Sequence, residues 1–133
     1  MPASFVLDSY ALIAFYRDEK SASSVDEILQ LGRDSKAEIF VSEISVGEVY
    51  YMIYKKNSQK MADEVLANLW ALPIKYVLPD RQSILTAAKF KASAPLSYAD
   101  CFVLELAQKK DATIVTSDPE FKQFEKEVKI KWI

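Results

Sequence analysis

Histidine is absent from all 133 residues. The commonest protein-borne general base is therefore missing, and a bound metal becomes the natural source of reactive water for any hydrolysis. No structural zinc site is expected, because the single Cys101 cannot supply the ligands that imidazoles would otherwise provide. That lone thiol also excludes an intramolecular disulfide. Positive charge is not in excess: the formal net charge is −2, whereas a chain gripping duplex DNA by broad phosphate neutralisation would be basic. Any nucleic-acid partner must be held by a local patch or through metal ions, and a membrane surface is disfavoured too. Apolar runs are short. None approaches the roughly 18 residues of a membrane-crossing helix, and no basic segment with a long apolar run behind it suggests a signal peptide. Cytoplasm is the expected location. Glycine is limited to Gly32 and Gly47, and no linker, repeat or low-complexity stretch divides the chain.

What is present is ample for a core. Hydrophobic residues make up 50% of the chain, and a chain of this length buries roughly two-thirds of its unfolded surface, so one domain over 1–133 is expected. Short apolar runs alternate with amphipathic helices, which predicts an α/β fold with a mostly parallel sheet. Strands are expected at 4–7, 39–41, 74–78, 113–116 and 128–132. Helices are expected at about 9–17, from a capping box at Ser24 to a stop at Gly32, at about 45–56, from Ser58 to Leu72, and from Asp80 towards Pro95. A second capping box, Ser97 to Asp100, opens a helix to about Lys110, and Asp118-Pro119 starts a short helical turn. The pair around Asn57-Ser58 reads as an αα-hairpin. Right-handed crossovers place helices on both faces of a five-stranded sheet, and ligands then sit beyond the carboxyl ends of the strands, near the topological switch point.

Four carboxylates, Asp8, Glu48, Asp100 and Asp118, lie where a strand gives way to a helix or on a helix's apolar stripe. Acids so placed can converge at one end of the sheet. Two unit charges about 4 Å apart oppose each other by roughly 4 kcal/mol at an effective dielectric of 20, so a fold that assembles such a cluster usually holds a divalent cation in it. Each acid also has a plain structural reading. Asp8 reads as a helix N-cap, although Ser9 could cap and leave Asp8 free. Glu48 shares a stripe with Ile44, Tyr51 and Met52, facing the interior or a cleft, where it needs a cation, donors or a salt-bridge partner. Gly47 beside it weakens the helix and suggests close backbone approach there. Asp100 is explained by its capping box and the helix dipole, yet Val103, Leu104 and Ala107 turn its face inward. Asp118 before Pro119 is an ordinary N-cap signature. The case for a site rests on their coincidence at one edge, and oxygen-only ligands suit Mg²⁺ or Mn²⁺.

In order along the chain run Phe5-Val6-Leu7-Asp8-Ser9, Ser45-Val46-Gly47-Glu48-Val49, Leu96-Ser97-Tyr98-Ala99-Asp100 and Ile114-Val115-Thr116-Ser117-Asp118-Pro119-Glu120-Phe121. This set resembles the PIN domain, a metal-dependent ribonuclease fold that includes the VapC toxins of prokaryotic toxin–antitoxin pairs. The resemblance implies that Asp8, Glu48, Asp100 and Asp118 hold Mg²⁺ or Mn²⁺, with Ser9 and Thr116 orienting the carboxylates. It implies hydrolysis of RNA to leave a 5′-phosphate, a homodimer, and a small antitoxin occupying the cleft. The closing motif departs from the family pattern, with Ser117 where glycine is frequent and Pro119-Glu120 in its variable slot. A role for Glu120 is left open.

Lys55, Lys56 and Lys60, together with Arg17 and Lys20, form basic groups that either contact phosphate or are simply solvated surface. Tyr50, Tyr51 and Tyr54 either stack on bases or pack the helical hairpin or a dimer interface, the second being favoured. Cys101 reads as core. Two other classes stay in view. A receiver-type phosphoacceptor domain has similar length and alternation, but Asp8 is followed by Ser9 rather than a second acid, and no acid closes the strand at 74–78. A PIN-like module that binds RNA or protein without cutting is the other.

Overall fold

The computed structural model describes residues 2–17 and 20–133. Five parallel strands, β1 (Ala3–Leu7), β2 (Ala37–Ser42), β3 (Lys75–Val77), β4 (Thr113–Thr116) and β5 (Ile130–Trp132), form one sheet in the order β3-β2-β1-β4-β5. The chain walks outward from β1 to β3, then returns to the other side of β1 with β4. The switch point therefore lies between β1 and β4, and the two strands run in register with Leu7 opposite Val115. Asp8 and Asp118 follow immediately beyond those ends.

Between the strands run α1 (Ser9–Tyr16), α2 (Ala22–Arg33), α3 (Glu43–Lys56), α4 (Gln59–Trp70), α5 (Arg81–Ser93), α6 (Tyr98–Lys110) and a 3₁₀ helix, Pro119–Phe124. Side chains alternate across the sheet with period two. Leu7, Ile39, Val41 and Val115 pack with α1 to α4 in one core, while Val6, Phe40 and Ile114 pack with α5, α6 and Phe121 in the other. Each large side chain so buried contributes roughly 1.5–3 kcal/mol, and the strands, covered on both faces, need no polar alternation. Among the described residues no helix is long and apolar enough to cross a membrane.

Short polar side chains start most helices. Asp8, Ser42, Ser58, Asp80, Ser97 and Asp118 each accept a backbone N–H in the first turn that follows. The exception is α2. It begins one turn before the expected capping box, because the Ser21 carbonyl already accepts the N–H groups of Ser24 and Val25, and Ala22 and Val25, three residues apart, are buried together. Gly32 does not stop this helix either. A Cβ there would lie 2.7 Å from Ile39 Cδ1 and 3.3 Å from the Pro73 carbonyl oxygen, so it is a close-approach glycine, and the left-handed turn falls at Ser35 with φ 56°. Gly47, where close approach was expected, has nothing within 4 Å of a built Cβ. The roles of the two glycines are thus exchanged. The edge strands β3 and β5 are also shorter than expected, while β2 starts earlier and α3 is capped by Ser42.

Candidate functional site

Beyond the carboxyl end of β1, Asp8 caps α1: its Oδ1 accepts the Ala11 N–H at 2.9 Å. Asp8, not Ser9, is therefore the cap. Its Oδ2 accepts the hydroxyl of Thr116, the last residue of β4, and Thr116 Oγ1 in turn accepts the Asp118 N–H at 2.9 Å. One threonine thus ties together the two strand ends at the switch point. Ser9 is buried, but among the described residues no hydrogen bond joins its hydroxyl to a carboxylate. Asp118 Oδ1 accepts the Glu120 N–H at 3.0 Å, which folds the start of the 3₁₀ helix back and brings Glu120 beside it.

Asp100 enters from α6. Its N–H donates to the Ser97 cap at 3.2 Å, and its side chain turns from the first turn of that helix towards the sheet edge. Glu48 comes from the sixth position of α3. That helix buries Ser45, Val46, Val49 and Ile53, whereas Glu48 is half-buried and its stripe neighbours Ile44 and Tyr51 are exposed. Of the two surroundings expected for Glu48, it faces the cleft. No ion pair neutralises it among the described residues.

These acids are close enough to perturb one another. Asp8, Asp100 and Asp118 are 1%, 4% and 5% exposed, yet no lysine or arginine pairs with any of them among the described residues. Burial pushes the Asp8 carboxyl up to about 7 against the hydrogen bonds from Thr116 and Ala11, with the charges of Asp118 and Glu48 adding to the rise. Asp100 is raised as well, first by burial and then by the charges of Asp8 and Asp118. The tightest grouping is Asp100, Asp118 and Glu120, which bring one oxygen each within 4.8 Å of the others. Glu120 therefore joins the site that the sequence left it beside. Asp8 lies outside this grouping; each of its oxygens accepts one hydrogen bond, and a carboxylate keeps further lone pairs for a cation.

Sequence reasoning missed Tyr10. It sits in the first turn of α1, is 49% exposed, and its phenol is pushed up chiefly by Asp118, then by burial, Asp100, Asp8 and Glu120. An aromatic two residues after a rim acid was the available signal. The expected aromatic and thiol roles are simpler: Tyr50 donates to Asp63 Oδ1 across the α3–α4 hairpin at 2.6 Å, and Cys101 is fully buried.

This donor set fits a hard divalent cation. It offers only oxygen, at least three carboxylates converge, and buried carboxyls that no basic side chain pairs with among the described residues are relieved either by a proton or by an external cation.

The fold itself is shared with known proteins. The model of the PIN domain family matches residues 5–127. The structure of VapBC2 from Rickettsia felis, bound to a DNA fragment from its promoter, superposes with a TM-score of 0.75 at 14% identity, covering 98% of both chains. Mycobacterium tuberculosis VapC20, a sarcin–ricin loop cleaving toxin, gives 0.72 at 11% identity over 90% of this chain and 93% of that one. DNA-bound VapBC from Salmonella typhimurium gives 0.71 at 14%, covering 98% of each. Among curated proteins no sequence matches. With the family model spanning nearly the whole sheet and all the rim acids, this chain belongs to the PIN domain family.

Proposed function

We propose that this protein, as a single PIN-like domain, is a Mg²⁺- or Mn²⁺-dependent endoribonuclease and the toxin of a toxin–antitoxin pair. The observation that carries the reading is the convergence of buried carboxylates that, among the described residues, no basic side chain pairs with. Asp8, Asp100, Asp118 and Glu48 would hold the metal, and Glu120 would join them through its proximity to Asp100 and Asp118. When bound, such an ion supplies a lowered water pKa and Lewis-acid stabilisation of the phosphoryl oxygens.

The chain's own groups prepare the site. Thr116 fixes one Asp8 oxygen and the Ala11 N–H the other, so the carboxylate's orientation is set before any cation arrives. Ser97 hydrogen-bonds Asp100 and holds it in the first turn of α6. Because burial makes Asp8 and Asp100 reluctant to ionise, a cation bound there near neutral pH would displace protons. Positioned carboxylates then orient the attacking water and exclude other conformations of the scissile phosphate. No covalent enzyme intermediate is needed, and the products carry a 5′-phosphate.

A homodimer and a small antitoxin seated in the cleft complete the proposal, supported by the likeness to VapBC structures. Purified protein incubated with structured RNAs and Mg²⁺ or Mn²⁺ should cut them, and Asp8→Asn and Asp100→Asn should each lower the rate by about 100-fold or more, the scale at which a misplaced catalytic constellation is felt. Cleavage that survives both substitutions shows the assigned centre to be wrong. Calorimetric titration with Mn²⁺ separates the inert-module alternative: no uptake at millimolar concentration favours it.

A further inference from the structure

Two helices leave the acid cluster side by side, and they carry the same order of chemistry. Along α1, beyond Asp8, come Tyr10 and Ile13, with Arg17 at its C-cap. Along α3, from Glu48, come Met52 and Lys56 at successive four-residue steps, one stripe of the helix. Tyr10, Ile13, Arg17, Met52 and Lys56 line a groove of about 220 Å³ between the two helices. That is smaller than a site for a drug-sized ligand and suits a single flat ring system. Its floor is apolar, with Ile13 buried and Met52 half-buried, and Tyr10 stands half-exposed at the end nearest the acids. The cations close the other end, on the order of 12 Å along α3 from Glu48 at 1.5 Å per residue.

We propose that this groove seats one nucleotide of single-stranded RNA next to the bond that is cut, with its base between Tyr10 and Met52 and its outer phosphate on Arg17 and Lys56. This rests on the ribonuclease reading above and extends it to how the strand is held. A strand of RNA presents anion, flat ring, anion, and the groove presents its complement in the same sequence: a cation-holding acid cluster, an aromatic with an apolar floor, and two cations. The net charge of −2 leaves no broad electrostatic attraction, so local cations must do the gripping. The acids repel a bare phosphate, and Arg17 and Lys56 offset this on the side where the chain must continue. Base-on-tyrosine stacking tolerates any base, so the groove confers grip and register rather than sequence choice. A basic peptide arm is disfavoured there by the same two cations.

The test measures binding apart from cutting. A short fluorescein-labelled mixed-sequence single-stranded RNA is titrated by anisotropy at several salt concentrations, in an Asp8→Asn background. Lys56→Gln and Arg17→Gln are each expected to raise Kd several-fold and to reduce the slope of log Kd against log salt by about 0.7, the value for one phosphate contact on a single strand. Tyr10→Ala should weaken binding about tenfold and Tyr10→Phe little, while on an abasic RNA of equal length the Tyr10→Ala effect should vanish. Lys129→Gln, just before β5 at the far edge of the sheet, should change neither quantity. Melting curves check that every variant is folded. If the wild-type protein cuts RNA but the groove variants bind as their parent does, the groove assignment is wrong and the nuclease reading stands. If those variants instead lose only a protein partner, the groove is a protein site and the proposal is equally overturned. If the wild-type chain neither binds nor cuts RNA, the nuclease reading itself fails and takes the groove with it.

Discussion

The two edges of the sheet handle charge in opposite ways. At the amino edge Glu38 is ion-paired with Lys75 across β2 and β3, and the Lys75 and Lys110 ammonium groups lie 5.8 and 5.0 Å from the Phe40 ring centroid. There Lys75 draws the Glu38 carboxyl below its ordinary value. At the carboxyl edge Asp8 and Asp100 are buried, without a cation, and both are raised. One edge is self-sufficient. The other has hydrogen bonds that orient its acids but, among the described residues, no basic side chain paired with them, an arrangement that could accept a cation.

The contrast is broken or sharpened most strongly by pH. A carboxyl whose folded-state pKa is raised binds its proton more tightly in the native chain than in the unfolded one. Its contribution favours the fold below about pH 4 and is lost as pH rises from there through about 7, the folded value for Asp8. At roughly 1.4 kcal/mol per unit, Asp8 alone accounts for a loss on the order of 4 kcal/mol across that window. Metal-free protein should therefore lose stability between pH 4 and 8 by denaturant titration, and Asp8→Asn should flatten that fall. Millimolar Mn²⁺ should restore stability at pH 8 and do little at pH 5, because it competes with protons for the same oxygens. A flat difference profile between wild type and Asp8→Asn, together with no Mn²⁺ effect at pH 8, removes the distinction between the edges.

Much of this arrangement was legible in the chain. The alternation of apolar runs and amphipathic helices predicts the parallel sheet, and Ser97 caps α6 as expected, because both are signals over a few residues; the reciprocal half of that capping box is not made, since the Asp100 carboxylate turns to the sheet edge instead. The rim acids were visible for the same reason: each follows a strand or sits in a helix with a readable face. What escaped depends on neighbours far away in sequence. Glu120 joins Asp100 only after the 3₁₀ helix turns back on Asp118, and Tyr10 meets the acids only once β1 and β4 lie side by side. The glycines show the limit most clearly. Both sit inside helices with negative φ, so local pattern gave no basis for choosing between them. The neighbour that demands a missing Cβ at Gly32 comes from β2 and from Pro73.

That difference gives a second, smaller perturbation, away from both edges. Gly32→Ala forces its methyl against buried Ile39 and the Pro73 carbonyl, an overpacking expected to cost about 1–3 kcal/mol. Gly47→Ala enters open space in a helix and should stabilise by up to about 1 kcal/mol. Urea titrations of the two variants should move their midpoints in opposite directions. Equal shifts of the same sign contradict the packing described here.

The smallest effect is expected at the amino edge, and its smallness is the informative part. Lys75→Gln removes the partner of Glu38 and one of two ammonium groups over Phe40, while Lys110 stays nearer the ring. Glu38 and Lys75 are solvent-exposed at their tips, so water and salt replace what the pair provides. The melting temperature should hardly move, and what little change occurs should shrink further in high salt. The pH profile assigned to Asp8 should be untouched, since the two edges share no charged partner. A loss in Lys75→Gln comparable to that from ionising Asp8, or a shift in the acid-edge profile, would mean that the sheet transmits charge from one end to the other. The carboxyl edge would then be one half of a single network whose other half balances it, and not an independent acidic cluster.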